Sequence, residues 1–350
     1  MITVDLVKET LLQTAAISNP RSPISSFQNI DIERTPGRIL FRAQSSAIIM
    51  ENSIDVPGDE SWMVSANADK ARRLIQSLPG DYQICHRKDR LIAGNETNSY
   101  ELCHQEDPAK RVYKYELPEN MIDLPFDLYS GLKNAKPYIL KSAEIKPVLN
   151  TITLFPQEEG LFAVATDGFV LYEKQLYHEP VLTHPISIDS NIIFSPDTEY
   201  SISTVNNFNK FFIKSQNQVI IHNTLTTPFP SYRQFMRFHK TTPPIIFDYL
   251  EMESALQRLM IYANYNLSKS CLIECVEGGL RLTTADSLSK ESGEEFIHAE
   301  GQEKDKKMRV NIPYFLQALK TLRNDLQLYL SEAVYMSNKH EIITIMPMGE

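Results

Sequence analysis

Phe315-Leu-Gln-Ala-Leu-Lys-Thr-Leu-Arg-Asn-Asp325 has a counterpart far upstream, Ala71-Arg-Arg-Leu-Ile-Gln-Ser-Leu-Pro-Gly-Asp81. Both stretches are apolar at their first, fourth, fifth and eighth positions, which is the spacing of one buried helix face. The offset is 244 residues, twice 122. Solenoid repeats run to about 20–50 residues, so a period of this size predicts duplicated domains instead. Three units of roughly 120 residues account for the 350-residue chain. Their expected bounds are 1–120, 121–240 and 241–350.

The flanks of the two stretches agree with this reading. Around the downstream copy, Asn311 is a helix cap and Pro313 stands in the first turn, where its missing N–H costs nothing. Phe315, Leu316, Leu319 and Leu322 give the apolar face, and Asn324-Asp325 ends the helix. Strands are predicted at Leu326–Leu330 and Glu341–Ile345, the second running into Met346-Pro-Met348. Around the upstream copy, a helix over Ala66–Ser77 turns Ala71, Leu74, Ile75 and Leu78 inward and Arg72, Arg73 and Gln76 outward. Pro79-Gly80-Asp81 stops it.

The same alternation recurs along the chain. A short strand enters a helix over 2–17, with Val7, Leu11 and Ala15 on one face. A polar loop, Ser18–Pro23, presents Arg21. Strands follow at Ile30–Arg34, Ile39–Gln44 and Ala47–Asp55, and three more end near Tyr115. The pattern restarts at Leu124, with a helix carrying Leu128, Leu132 and Ala135 inside and Lys133 outside, then strands at Val148–Leu154, Leu161–Ala165 and Leu171–Leu176. It restarts near Phe247, with Ala255, Leu256, Leu259, Met260 and Ala263 inside and Arg258 outside, then strands at Leu272–Val276 and Leu280–Thr284. Helices with one apolar face, alternating with many strands, predict an α+β fold with helices packed on one side of antiparallel sheets.

Composition narrows the function. The chain is 42% hydrophobic and carries a formal charge of −9. No apolar run is long enough to span a membrane, no charged-then-apolar leader opens the sequence, and the four cysteines make no disulfide framework. A soluble, cytoplasmic protein with no membrane partner is expected. The acidic balance argues against a protein that grips nucleic acid with its whole surface, but allows a basic lining inside an acidic exterior. There is no Gly-rich phosphate loop, no His-Glu-x-x-His and no Gly-x-Ser-x-Gly, so no catalytic residue, metal or cofactor is expected. Cys85-His86 and Cys103-His104 lie in strand-like runs whose neighbouring side chains point to opposite faces, which suits a single zinc ion poorly. Cys271 and Cys275 share a strand face and read as core.

Four segments, in order, resemble the bacterial sliding clamp, the DNA polymerase III beta subunit. Val164-Ala-Thr-Asp-Gly168 followed by Leu171 is similar to that family's Ala-Thr-Asp-Gly-His-Arg-Leu. Phe229-Pro-Ser-Tyr-Arg233 is similar to Phe-Pro-Asp-Tyr-Arg. Val310-Asn-Ile-Pro-Tyr314 with Leu316, Ala318 and Leu319 is similar to Asn-x-x-Tyr-Leu-x-x-Ala-Leu, and Ile345-Met-Pro-Met348 matches the family's terminal motif. The likeness is dense from about residue 122 onward; the first domain matches mainly in pattern and at Arg21.

The resemblance implies three similar domains of two helices each, two chains joined head to tail in a ring, and helices lining a hole that encircles duplex DNA without sequence preference. It implies a non-catalytic processivity factor that tethers the DNA polymerase III alpha subunit and other proteins carrying a clamp-binding motif, and is opened by a clamp loader. On that basis Arg21, Arg72, Arg73, Lys133, Lys136, Arg258 and Lys320 would face DNA. The peptide-binding positions fall on Lys146, Leu149, Thr166, Gly168, Phe169, Val170 and Leu171. They continue with Pro230 and Phe235, then Asn311, Tyr314, Val334, Met336, Thr344, Met346, Pro347 and Met348. The dimer contact falls on Tyr100 and Leu102 on one side and Tyr262 and Ala263 on the other.

Departures from the family are visible. Its His-Arg after Asp-Gly is Phe169-Val170 here, its terminal Arg-Leu is Gly349-Glu350, and Lys146 stands for an arginine. These changes predict a more apolar groove with an altered rim charge. The second helix of the middle domain is expected to be shortened to Asp189–Ser195, ahead of Pro196. The alternative function is a clamp-derived, peptide-binding scaffold that does not encircle DNA.

Overall fold

The computed structural model describes the chain except for residues 1, 89, 104–112, 114, 142–145, 206–209, 226, 237–242, 264–268, 287–288, 302–305, 324 and 350. His104, Asn324 and Glu350, named above, lie outside the described residues. The chain forms two compact units: Met1–Ser130 with Ile188–Thr226, and Gly131–Ser187 with Thr227–Glu350.

In the first unit, strand Ile2–Thr3 leads into helix α1 (Val4–Ala15), which buries Val7, Leu11 and Ala15 as predicted. Helix α2 (Ala68–Ser77) follows strand Trp62–Asn67, and the Asn67 side chain accepts the Lys70 amide at 3.0 Å, a regular N-cap. Ala71 and Ile75 are fully buried, and Arg72, Arg73 and Gln76 are exposed. One sheet orders Ile2–Thr3, Gln83–Arg87, Arg90–Gly94 and Ser99–Cys103. An eight-stranded sheet orders Trp62–Asn67, Asn29–Thr35, Arg38–Gln44, Ile48–Asp55, Gln218–Asn223, Lys210–Lys214, Ser201–Val205 and Ile122–Asp123. Its seam joins strands distant in sequence, with Met50 opposite Ile220. Ile30, Ile32, Ile39, Phe41 and Val64 pack in one core with the buried helix faces.

The second unit follows the same plan. Helix α3 (Leu128–Lys133) has its first half, to Ser130, in the first unit and continues from Gly131 in the second. Helix α4 (Tyr249–Tyr262) follows the two-residue strand Ile246–Phe247, and Asp248 caps it by accepting the Glu251 amide at 2.8 Å. Helix α5 (Ile312–Leu322) follows strand Lys307–Asn311, and Asn311 accepts the Tyr314 amide at 3.1 Å. Asn67 and Asn311 thus do the same work 244 residues apart. A seven-stranded sheet orders Ile186–Asp189, Thr151–Gln157, Gly160–Thr166, Val170–Tyr177, Glu341–Ile345, Val334–Ser337 and Gln327–Leu330. A five-stranded sheet orders Ile246–Phe247, Ser292–Glu300, Gly279–Ala285, Ser270–Val276 and Lys307–Asn311. Cys271 and Cys275 are buried in it.

Three expectations need correction, and one strand went unpredicted. The middle helix is only six residues long and gives way to a 3-10 turn, Lys136–Tyr138, because Asn134 and Pro137 do not continue an α-helix. The strand expected from Val148 begins at Thr151, since Pro147 opens a 3-10 turn over Pro147–Asn150. Asp189–Ser195 is not helical. Asp189 ends a strand and its carboxylate accepts the Asn191 amide, while Ile192 and Phe194 are both buried, the two-residue period of extended chain. Strand Val334–Ser337 was not expected; all four residues are buried, so it shows no alternation to detect.

Candidate functional site

In the second unit the predicted peptide residues converge on the seven-stranded sheet. The hairpin joining Gly160–Thr166 to Val170–Tyr177 is an Asp-centred turn. Asp167 Oδ1 accepts the amides of Phe169 at 2.9 Å and Val170 at 3.0 Å. Thr166 Oγ1 accepts the Gly168 amide at 3.0 Å and donates to the Val170 carbonyl at 2.7 Å. Gly168 has φ of 98°, a conformation other residues adopt only with strain. The turn pushes Phe169 outward, 66% exposed.

Two partners fix this hairpin. The Tyr314 hydroxyl, at the start of α5, donates to Asp167 Oδ2 at 2.5 Å. Burial, then the Asp167 carboxylate, push the Tyr314 phenol well above its ordinary range, so it stays a donor. The Met346 amide donates to the Phe169 carbonyl at 2.9 Å, and the Met348 amide to the Arg309 carbonyl, also at 2.9 Å. The hairpin, the head of α5 and the Met346-Pro-Met348 segment are therefore bonded together.

The segment Phe229-Pro-Ser-Tyr-Arg233 runs into a 3-10 turn, Tyr232–Phe235. Tyr232 packs in one cluster with Phe162, Val164 and Leu171, and Phe155, Phe229 and Met236 lean on it. Thr344 Oγ1 donates to Met236 Sδ at 3.1 Å. Pro230 is exposed and Phe235 is 43% exposed. The result is an apolar surface with partly exposed aromatic rings around a buried floor. Lys146 is exposed at the start of the turn that carries Leu149, which is buried.

Some predicted positions do not reach this surface. Val334, Met336 and Thr344 are fully buried, so they form the body of the sheet rather than an accessible wall. Val170 is buried on the sheet face opposite Leu171, whose own side chain forms part of the buried floor. Sequence reading also missed residues that matter here: Asp167, which clamps the hairpin, and Glu173, buried two residues past Leu171 on the same face. A carboxylate at an inward strand position was the available signal for Glu173.

The expected DNA-facing cations are less free than the sequence suggested. Arg72 and Arg73 share Asp69, at 3.1 Å and 2.9 Å. Arg258 makes a bidentate pair with Glu295, at 2.6 Å and 2.8 Å. Arg21, Lys133, Lys136 and Lys320 are exposed. The first unit also holds a cleft of about 1480 Å³ beside α1. It is lined by Glu9, Glu119, Asp123, Asp127, Asp197 and Glu199, with Lys214 as the one cation. None of the predicted DNA-facing cations lines this cleft.

Of the dimer positions, Tyr100 is exposed on strand Ser99–Cys103 and Tyr262 is partly exposed. The side chains of Leu102 and Ala263 are buried. The exposed residue at the end of α4 is Ile261, 70% exposed and one position before Tyr262. Cys85 and Cys103 are exposed and form no disulfide, and His86 stacks on Trp62 at 5.3 Å.

No family model matches the sequence, and no curated protein matches it. Solved structures do. A sliding clamp from Pseudomonas aeruginosa superposes with a TM-score of 0.78 at 15% identity, covering 100% of this chain and 99% of that one. The same organism's clamp bound to griselimycin gives 0.80 at 14% identity, covering 100% and 98%. The C. crescentus beta sliding clamp gives 0.81 at 15% identity, also covering 100% and 98%.

Proposed function

From the premise that the whole chain has the fold of a DNA sliding clamp, we propose that it is a processivity clamp. It has three domains, 1–120, 121–240 and 241–350, and pairs head to tail into a ring around duplex DNA. It acts as a cytoplasmic, non-catalytic binding protein, which a loader opens and which tethers the DNA polymerase III alpha subunit and other motif-bearing proteins. The observation that carries this reading is the apolar surface on the seven-stranded sheet, clamped by the Asp167–Tyr314 bond, on a chain with this fold throughout.

Each step has a physical rationale. Topological linkage removes the need for tight binding, so a ring tolerates a net charge of −9. Weak phosphate contacts from Arg21, Lys133, Lys136 and Lys320 would permit sliding and would be salt-sensitive. A peptide with leucine and aromatic anchors would lay them against Phe162, Leu171 and Phe235, with Phe169 and Met346–Met348 at the rim. Ring closure would use strand Ser99–Cys103 with Tyr100 on one chain, and the Ser292–Glu300 edge with Ile261 and Tyr262 on the other.

The test is retention on DNA. Loaded protein should persist on closed circular DNA and be lost when the circle is linearised, and light scattering should give a dimer that survives dilution. The scaffold alternative draws support from the cations paired with Asp69 and Glu295 and from the acidic cleft. It predicts peptide binding with no dependence on DNA topology.

A further inference from the structure

We propose that Glu173 is a specificity residue of the groove, and that its unpaired carboxylate oxygen receives a lysine or arginine side chain of the docked peptide. The inference rests on the peptide-binding reading of this surface.

Glu173 is 8% exposed. In the sheet it stands between Val164 on one neighbouring strand and Ile342 on the other, in the row next to Thr166, Leu171 and Thr344. It therefore sits in the middle of the apolar face that the Tyr232–Phe235 turn crosses. The Tyr232 hydroxyl lies beside Glu173, and the Gln157 amide donates to that hydroxyl at 2.5 Å. Glu173 Oε2 is buried and has no hydrogen-bond partner among the described residues. The nearby cation does not supply one: Arg233 lies over the Phe162 ring at 5.6 Å and pairs with Glu159 at 3.2 Å.

The other face of the same sheet makes the contrast. There Glu341 accepts from Tyr172 at 2.7 Å, Asn134 at 2.9 Å and Asn338 at 3.3 Å, with Lys174 at 3.7 Å. One buried carboxylate is fully engaged and the other keeps an open acceptor. An acceptor left open in an apolar setting is costly, and a donor arriving with a ligand removes that cost. Burial pushes the Glu173 carboxyl up, so a cation brought beside it would also favour its charged form. Lysine and arginine fit the surroundings, because their alkyl stems pack on apolar walls while the head reaches a charge. Leu171 and Phe162 are those walls.

The experiment uses the full chain and nine-residue peptides carrying leucine and phenylalanine anchors. One series scans lysine through the remaining positions; the other places norleucine there. Binding by fluorescence anisotropy should reveal a position at which lysine binds about ten-fold or more tighter than norleucine. E173Q and E173L should abolish that preference and leave the norleucine peptide bound as before. No lysine preference at any position would overturn the proposal, as would an equal loss for both series in E173Q, which marks a structural role. E173Q keeps the side chain's size if E173L does not fold. Binding of neither series to the unaltered chain would overturn the groove reading itself, and the proposal with it.

Discussion

Two tyrosines cross two large sheets in this molecule, and the chemistry beneath them is opposite. On the eight-stranded sheet, the Tyr113 hydroxyl donates to Asp31 at 2.7 Å and its ring lies 5.8 Å from the Arg42 guanidinium. Arg42 is itself held between Glu33 and Glu51. On the seven-stranded sheet, Tyr232 meets Phe155 and Phe229 edge to face, at 5.4 Å and 6.0 Å. The first face is closed by charges that satisfy one another. The second is apolar, has aromatic rings partly exposed, and holds one carboxylate with a spare oxygen. Similar backbone architecture thus yields one crossing stitched together by charges and one that leaves apolar rings partly exposed. The difference lies in a few inward strand positions, not in the fold.

The largest expected effect breaks the second face. Phe235→Asp places a charge at a partly exposed ring without disturbing the core, and should weaken peptide binding about 100-fold, in the range of an interface hot spot. Arg42→Ala on the first face should leave that affinity unchanged. It should instead lower stability by about 2 kcal/mol, because Glu33 and Glu51 lose a mostly buried partner. Urea unfolding would measure it, and replacing all three residues by apolar ones of similar size should restore most of the loss.

A smaller effect is expected at the hairpin clamp. Tyr314→Phe removes one hydrogen bond to Asp167, whose other oxygen still holds the turn amides. About 1 kcal/mol of stability should go, and peptide affinity should fall by less than ten-fold. Isothermal calorimetry on the variant would check the second figure.

The smallest effect distinguishes the units by pH. His222, in the first unit, is buried, stacks on Phe211, and has its pKa lowered, mainly by burial. A histidine held neutral contributes stability at neutral pH that is lost as pH falls through the ordinary histidine range, because the unfolded chain then binds the proton more readily. Glu173, in the second unit, has its pKa raised by burial, so its contribution has the opposite sign and is lost as pH rises. Mild acid should therefore weaken the first unit relative to the second. The single tryptophan, Trp62, reports on the first unit, and amide hydrogen exchange reports on both. His222→Phe should flatten the first unit's response.

Much of this was legible in the sequence, for reasons that can be named. The helices announced themselves by their apolar faces, and three of them carry a side-chain cap; Asn67 and Asn311 stand 244 residues apart, as the repeat requires. The hairpin at Thr166–Leu171 was recognisable from its Asp-Gly turn. Strand Val334–Ser337 was hidden because both its faces are buried. Ile192 and Phe194 could be read as part of a helix because a two-residue period over so short a run is ambiguous. Ion pairing was out of reach. Arg258 looks free on its helix, and only the sheet brings Glu295 to it, 37 residues away. Side-chain burial at Leu102 and Ala263 and exposure at Ile261 were likewise out of reach.

The seam of the eight-stranded sheet has a consequence for how the protein is made. Ile48–Asp55 pairs with Gln218–Asn223, which leaves the ribosome about 160 residues later. At the usual rate of synthesis that is a wait of roughly 10–30 s. For that interval the nascent chain carries a finished half-sheet with one bare edge, the kind of surface on which strands of neighbouring chains pair wrongly. Co-translational protection of this edge, by a chaperone or by slow local decoding, would then govern the yield of native protein more than its final stability does.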